Sequence, residues 1–221
     1  MSVDLPARLA ALDAWLAENV PAISSTLQSG ASEAELDILE QHIVYQLPQD
    51  FRTLYTWHDG QKHPPGQYVG GAIVLAFIPL EDVRREWDVW KELEEDFQNT
   101  EGHTSHPADR IQEQYINPGW VAFLVDGGGN SVGVDLNPGP AGIPGQVITF
   151  GRDENEKYML AESLAAFLDE FVRRLEAGRV AVLHPNESGF QLALLSASEK
   201  QMGEYMVLAD LFPGFGASPT P

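Results

Sequence analysis

Three short apolar runs, punctuated by glycine and proline, constrain this chain more than any other feature. They are WVAFLV at residues 120–125, SVGVDL at 131–136 and QVITF at 146–150. Each is rich in β-branched or aromatic residues and too short for a stable helix, so each reads as a strand. The first two are joined by Asp126-Gly127-Gly128-Gly129-Asn130. Glycine and asparagine tolerate the positive φ that a tight hairpin demands. The second and third are joined by NPGPAGIPG. The pattern predicts an antiparallel meander.

Helical periodicity surrounds this block. Leu5, Leu9, Leu12 and Leu16 share one helical face, with Pro21 as a stop. Ser32 and Glu35 have capping-box spacing, and Leu36, Leu39 and Ile43 form a buried stripe behind them. Pro48 suits the first turn of a third, short helix carrying Phe51, Leu54, Tyr55 and Trp57, which Asp59-Gly60 ends. Residues 72–80 (AIVLAFIPL) read as a buried strand. Leu80, Val83, Trp87, Trp90 and Phe97 fall on one side of the next helix, and both tryptophans are assigned to the core. Residues 99–117 read as a polar loop. Leu160, Leu164, Phe167, Leu168, Phe171 and Leu175 mark a long amphipathic helix closed by Gly178. The expected fold class is α+β: a small mixed or antiparallel sheet with helices packed on one side, then a long C-terminal amphipathic helix plus an extension. One domain is expected over residues 1–178. Residues 179–221, nearly neutral with apolar clusters, are expected to pack back on it or to form a subunit contact, with a frayed end.

Charge narrows function. Thirteen basic residues face 33 acidic ones, a net charge of −20. Nucleic-acid binding and docking on anionic lipid are disfavoured, because both draw affinity from basic side chains. Basic partners are attracted instead. The chain has no cysteine, which excludes disulfides, thiol nucleophiles and Cys metal sites and suits a reducing cytoplasm. The first 16 residues carry acids and no uninterrupted apolar stretch, and no apolar run approaches ~18 residues. Neither a secretory signal nor a membrane span is expected.

Chemical motifs are scarce. The glycine loop at 127–129 is not a dinucleotide fingerprint, since Val132 stands where the last glycine belongs and a strand follows. Asp126, Asn130 and Asp135 do not match an EF-hand. His103 and His106 beside Glu101 sit in a polar stretch and read as solvated loop histidines; no H-E-x-x-H is present. His58 and His63 flank a turn and read as structural hydrogen-bonders. No G-x-S-x-G elbow occurs. Among 33 acids some will pair by chance, so no carboxylate pair is singled out. No catalytic residue, metal ligand or cofactor is assigned. The segment 81–101 holds nine acids and three bases, and is either a solvated face or a docking surface for a basic partner.

Two motifs carry a family resemblance. One runs through Leu47, Pro48, Asp50 and Phe51 to Asp59 and Gly60. The other runs through Asp126, Gly127, Gly128, Gly129 and Asn130 to Asp135, Pro138, Gly139, Gly145 and Gln146. Over residues 32–175 the chain resembles the Smi/Knr-type domain of the SUKH superfamily. The resemblance implies an α+β fold and a mainly structural role for those motif residues. It implies one of two functions, neither catalytic: bacterial immunity proteins that block a cognate toxin, or fungal regulators of cell-wall glucan synthesis. The reading carried forward is a cytoplasmic immunity protein neutralising a basic nuclease or deaminase toxin domain, with Asp88, Glu92, Glu95 and Asp96 as contacts. The alternative is a wall regulator, which a short chain without long disordered arms disfavours. A hydrolase or metal enzyme with an unseen site is the third reading.

Overall fold

The computed structural model describes residues 3–63, 69–94, 102–186 and 189–194. The element order is α1 (Leu5–Asn19), α2 (Pro21–Ser24), α3 (Glu33–Ile43), α4 (Gln49–Trp57), β1 (Ala76–Phe77), α5 (Leu80–Leu93), β2 (Thr104–His106), β3 (Trp120–Val125), β4 (Asn130–Asp135), β5 (Gln146–Gly151), β6 (Glu156–Ala161), α6 (Leu164–Glu176), β7 (Val180–Asn186) and β8 (Gly189–Leu194). Six strands form one sheet in the order β1-β3-β4-β5-β6-β2, and β7-β8 form a separate ribbon. The meander β3-β4-β5-β6 is antiparallel, and only the edge strand β2 runs parallel to its neighbour β6. The class is α+β with a mixed sheet.

Local chemistry explains the helices. Asp4 caps α1 by accepting from the Ala7 amide at 3.2 Å, and Leu5, Leu9, Leu12 and Leu16 bury the inner face. This face packs across α6 and α4. Ser32 and Glu35 close the capping box at the start of α3: Glu35 Oε2 accepts from the Ser32 amide at 2.8 Å and Ser32 Oγ from the Glu35 amide at 3.3 Å. Phe123 of β3 meets Phe167 of α6 edge-on at 5.8 Å, joining sheet to helix.

Several expectations need correction. Pro21 does not simply stop α1. It opens α2, where its missing N–H would have had no partner. Residues 72–80 are not one strand: only Ala76–Phe77 pairs with β3, and the preceding residues form isolated bridges. Burial of Ala72, Ile73, Phe77 and Ile78 gives the run its apolar character without a continuous ladder. Leu160 belongs to β6, not to the helix, because Ser163 intervenes as the N-cap of α6, accepting from the Ala166 amide at 3.1 Å. The stretch 99–117 contains β2, and its Ile111 and Ile116 are buried. Among the described residues after Gly178, β7 and β8 pair as an antiparallel ribbon, and Val180 and Leu192 join the main hydrophobic core. Phe97 and residues 195–221 lie outside the described residues.

One buried polar side chain joins distant segments. Gln61 Nε2 donates to Thr26 Oγ1 at 2.8 Å and to the Gly70 carbonyl at 3.0 Å. Its Oε1 accepts from the amides of Ala72 at 2.9 Å and Phe77 at 3.2 Å. Two donors and two acceptor sites are all used. Gln61→Leu keeps similar bulk but strands these four partners away from water. We expect a loss of about 3 kcal/mol or more in urea unfolding. A variant within about 0.5 kcal/mol of wild type would show that the partners re-pair.

Candidate functional site

The first motif is built into the framework. Leu47 is buried, and its amide donates to Glu40 Oε1 at 2.8 Å. Asp50 Oδ2 accepts from the Ala165 amide at 3.0 Å, in the first turn of α6. A carboxylate there complements the positive end of the helix dipole. Phe51 stacks on Tyr55 at 4.6 Å, and Tyr55 Oη donates to the Ile78 carbonyl at 2.9 Å. Asp59 Oδ1 accepts from the Leu80 amide at 2.7 Å, doing for α5 what Asp50 does for α6. Burial pushes the Asp59 carboxyl above its usual range, and that bond opposes the shift. Gly60 has φ +65°, and a Cβ there would lie 2.3 Å from Pro79 N, so no other residue fits.

The second motif spans β4 and the connections at its two ends. Asp126 Oδ1 accepts from the amides of Gly128 at 2.6 Å and Asn130 at 3.0 Å, closing the glycine turn. Gly127 and Gly129 take positive φ there. Asn130 Oδ1 accepts from the Asp153 amide at 2.9 Å, tying the β3-β4 turn to the β5-β6 turn. Gly139 lies so close to the Asp109 carbonyl that a Cβ would come within 2.4 Å, and its amide donates to the Arg110 carbonyl at 3.0 Å. Pro138 presents its carbonyl to Gln112 Nε2 at 3.4 Å. Gly145 (φ +91°) packs against Pro48, so the two motifs meet in space.

Asp135 and Gln146 form the buried centre of that motif. They face each other across β4-β5, with Gln146 Nε2 donating to Asp135 Oδ2 at 3.0 Å and to the Arg110 carbonyl at 2.8 Å. Asp135 Oδ1 accepts from the Asn137 amide at 3.0 Å. Burial raises the Asp135 carboxyl to about 7 against the pull of those bonds. The Trp120 indole N–H also pulls on this carboxylate, although it does not reach hydrogen-bond geometry. Nearby, fully buried Lys157 donates to the Glu154 carbonyl at 2.8 Å and lies 5.2 Å over the Trp120 ring. Burial lowers its ammonium to about 8. Neither group opens to solvent, and each serves the interior.

Of the four acidic contact residues, Asp88 and Glu92 lie one turn apart on α5. Asp88 is engaged: its Oδ1 lies 2.5 Å from His42 Nε2, clasping α5 to α3. Glu92 is exposed on α5, while Glu95 and Asp96 lie outside the described residues. Trp87 packs at the core margin, and its Nε1 donates to the Pro118 carbonyl at 2.8 Å. Trp90 meets Tyr115 edge-on at 5.6 Å. His103, expected to be solvated, is buried and stacks on Tyr115 at 5.4 Å. His58 Nδ1 engages the Gln28 carbonyl and Nε2 engages Asp13 Oδ1 at 3.2 Å, a structural role. Among the described residues, no group of three His, Asp or Glu side chains is placed to hold a metal.

A charge network escaped the sequence reading. Arg52 of α4 reaches Glu33 at 2.5 Å, Asp37 at 2.7 Å and Glu40 at 3.1 Å along α3. The i, i+4, i+7 spacing of those acids was the available signal. No sequence spacing announces the His42–Asp88 clasp, which joins residues 46 apart.

A family model for the SMI1 / KNR4 family (SUKH-1) matches residues 30–170. The chain belongs to this family. Among curated relatives, the Schizosaccharomyces pombe "Cell wall biosynthesis/cell cycle regulator smi1" is 31% identical over 206 residues, covering 88% of this chain and 40% of the relative. The Neurospora crassa "Glucan synthesis regulatory protein" is 32% identical over 76% of this chain and 38% of its own length. The Saccharomyces cerevisiae "Cell wall assembly regulator SMI1" is 25% identical over 81% and 42%. The chain thus spans about two fifths of these relatives.

These relatives overturn the immunity reading. They are named as fungal regulators of wall and glucan synthesis, none as a toxin antagonist. The buried Asp135 of the family motif makes a separate prediction. Its folded carboxyl (about 7) holds a proton more tightly than the unfolded one (3.8). Its stabilising contribution is therefore complete below about pH 4 and lost as pH rises through about 7. Urea unfolding across that window should show this slope in wild type and lack it in Asp135→Asn. Equal slopes would show that Asp135 does not titrate there.

Proposed function

We propose that this chain is a non-catalytic, protein-binding regulator of cell-wall glucan synthesis or assembly. The observation that carries the reading is the 31% identity with the fission-yeast wall regulator over 88% of this chain. The placement of the motif residues supports it. Asp50, Asp59, Asp126, Asp135 and Gln146 spend their hydrogen bonds on backbone and on each other, which is what a framework for a binding surface requires. A net charge of −20 favours partners with basic surfaces, which it would attract at long range. A cytoplasmic location fits a chain without cysteine.

Deleting the gene in its native host tests this. The expected outcome is hypersensitivity to wall-perturbing dyes or glucan-synthase inhibitors with altered β-glucan content, restored by the wild-type gene. Wild-type wall composition and resistance in the deletion strain would overturn the reading. The Gly60→Val gene, whose side chain collides with the Ile78–Pro79 backbone, should fail to restore resistance because the protein does not accumulate.

A further inference from the structure

We propose that the cleft between α1 and α4 docks a segment of a partner protein that carries arginine or lysine among small and medium apolar residues. The cleft measures about 440 Å³, within the range of ligand clefts. Pro6 and Ala10 of α1 and Trp57 of α4 supply its apolar walls, with Asp13 on one side and Glu33 on the other. No basic side chain lines it among the described residues.

Hydrogen bonding sets the chemistry of the occupant. The Trp57 indole N–H is consumed by Asp13 Oδ2 at 2.7 Å. The hydroxyl protons of Thr53 and Thr56, also in the lining, go to the carbonyls of Gln49 and Arg52 one turn back, at 2.8 and 2.7 Å. Asp13 Oδ1 also meets His58 Nε2 at 3.2 Å and Glu33 Oε2 meets Arg52, so what the lining still offers, apart from the Gln49 amide, are the remaining lone pairs of two half-exposed carboxylates and two hydroxyl oxygens. Arg52 pairs with Glu33 but shares its one guanidinium with Asp37 and Glu40, so the three acids keep a surplus of negative charge. A surface of acceptors and surplus negative charge above an apolar floor matches a cationic head on an aliphatic stem. The occupant is therefore a basic, apolar-flanked segment. The first wall comes from α1, which precedes the family match at residue 30.

This inference goes beyond the wall-regulator reading and is tested apart from it. The full chain, isotopically labelled, is titrated at physiological salt with a short peptide of leucine, alanine and arginine, and with a control in which glutamine replaces arginine. We expect saturable binding of the arginine peptide and a shift of the Trp57 indole resonance, identified with Trp57→Phe. Ala10→Arg, which fills the cleft with bulk and positive charge, should weaken binding about tenfold or more. Ala141→Arg makes the same charge change on the β4-β5 loop and should alter it less than about twofold. Thr56→Arg repeats the test if Ala10→Arg lowers the melting temperature. Equal weakening by the two charge changes, equal affinity for the glutamine peptide, or shifts centred on α5 would each overturn the proposal. Peptide binding leaves the deletion phenotype undecided, and a missing phenotype leaves the groove standing.

Discussion

The buried amide of Gln61 is the constraint on which the front half of this domain depends. The chain from Ser25 to Phe77 is mostly irregular between helices, and irregular backbone inside a protein must find hydrogen-bond partners away from water. Gln61 supplies them by reaching Thr26, Gly70, Ala72 and Phe77 at once. Gly60 makes that reach possible, since its left-handed turn brings the chain against the Ile78–Pro79 backbone. Asp59 then fixes the start of α5 and Tyr55 the Ile78 carbonyl. The helices and the short edge strand β1 are thus joined by polar contacts, in a region where a two-residue strand contributes few ladder bonds.

The same device recurs at the far end. Gln146 donates both to Asp135 and to the Arg110 carbonyl, holding the connecting segment 102–119 near the meander. Asp50 reaches 115 residues along the chain to cap α6. Each link is short-range in space and long-range in sequence. Deleting one partner leaves the other buried and unsatisfied, which costs more than the bond itself contributes. This asymmetry accounts for the mixture of Asp, Gln, Asn and Gly in the two motifs: each position answers to one geometric demand that few residues meet.

The periodic elements were readable from sequence because their signal is local. The leucines of α1, the capping box of α3 and the β3-β4-β5 meander follow from spacing and turn chemistry alone. The edges were not readable. Strand β2 pairs with β6 in parallel, and nothing within Thr104–His106 specifies a partner 52 residues away. Residues 72–80 looked like a strand because burial selects apolar side chains whether or not a ladder forms. Leu160 was drawn into α6 because it continues the helical stripe numerically, although Ser163 caps the helix after it. The site was less legible still. Charge density pointed to α5, but density does not reveal pairing, and Asp88 is already clasped by His42.

Where the motifs serve the fold, specificity must reside elsewhere. A chain whose motif residues are committed to its framework needs binding surfaces whose residues are free of framework duty. Glu92 on α5 satisfies that condition, as do Ala10 and Pro6 on α1; Asp88 and Asp50 do not. Charge acts on both kinds of surface, but differently. Over the whole molecule it speeds encounter with any basic partner and is screened within about 8 Å at physiological salt. Beside apolar walls, a half-exposed carboxylate such as Asp13 would favour a cation whose stem packs on those walls. On the proposed reading, net charge would therefore set the class of partner, and the arrangement of acceptors around an apolar floor would set the member of that class.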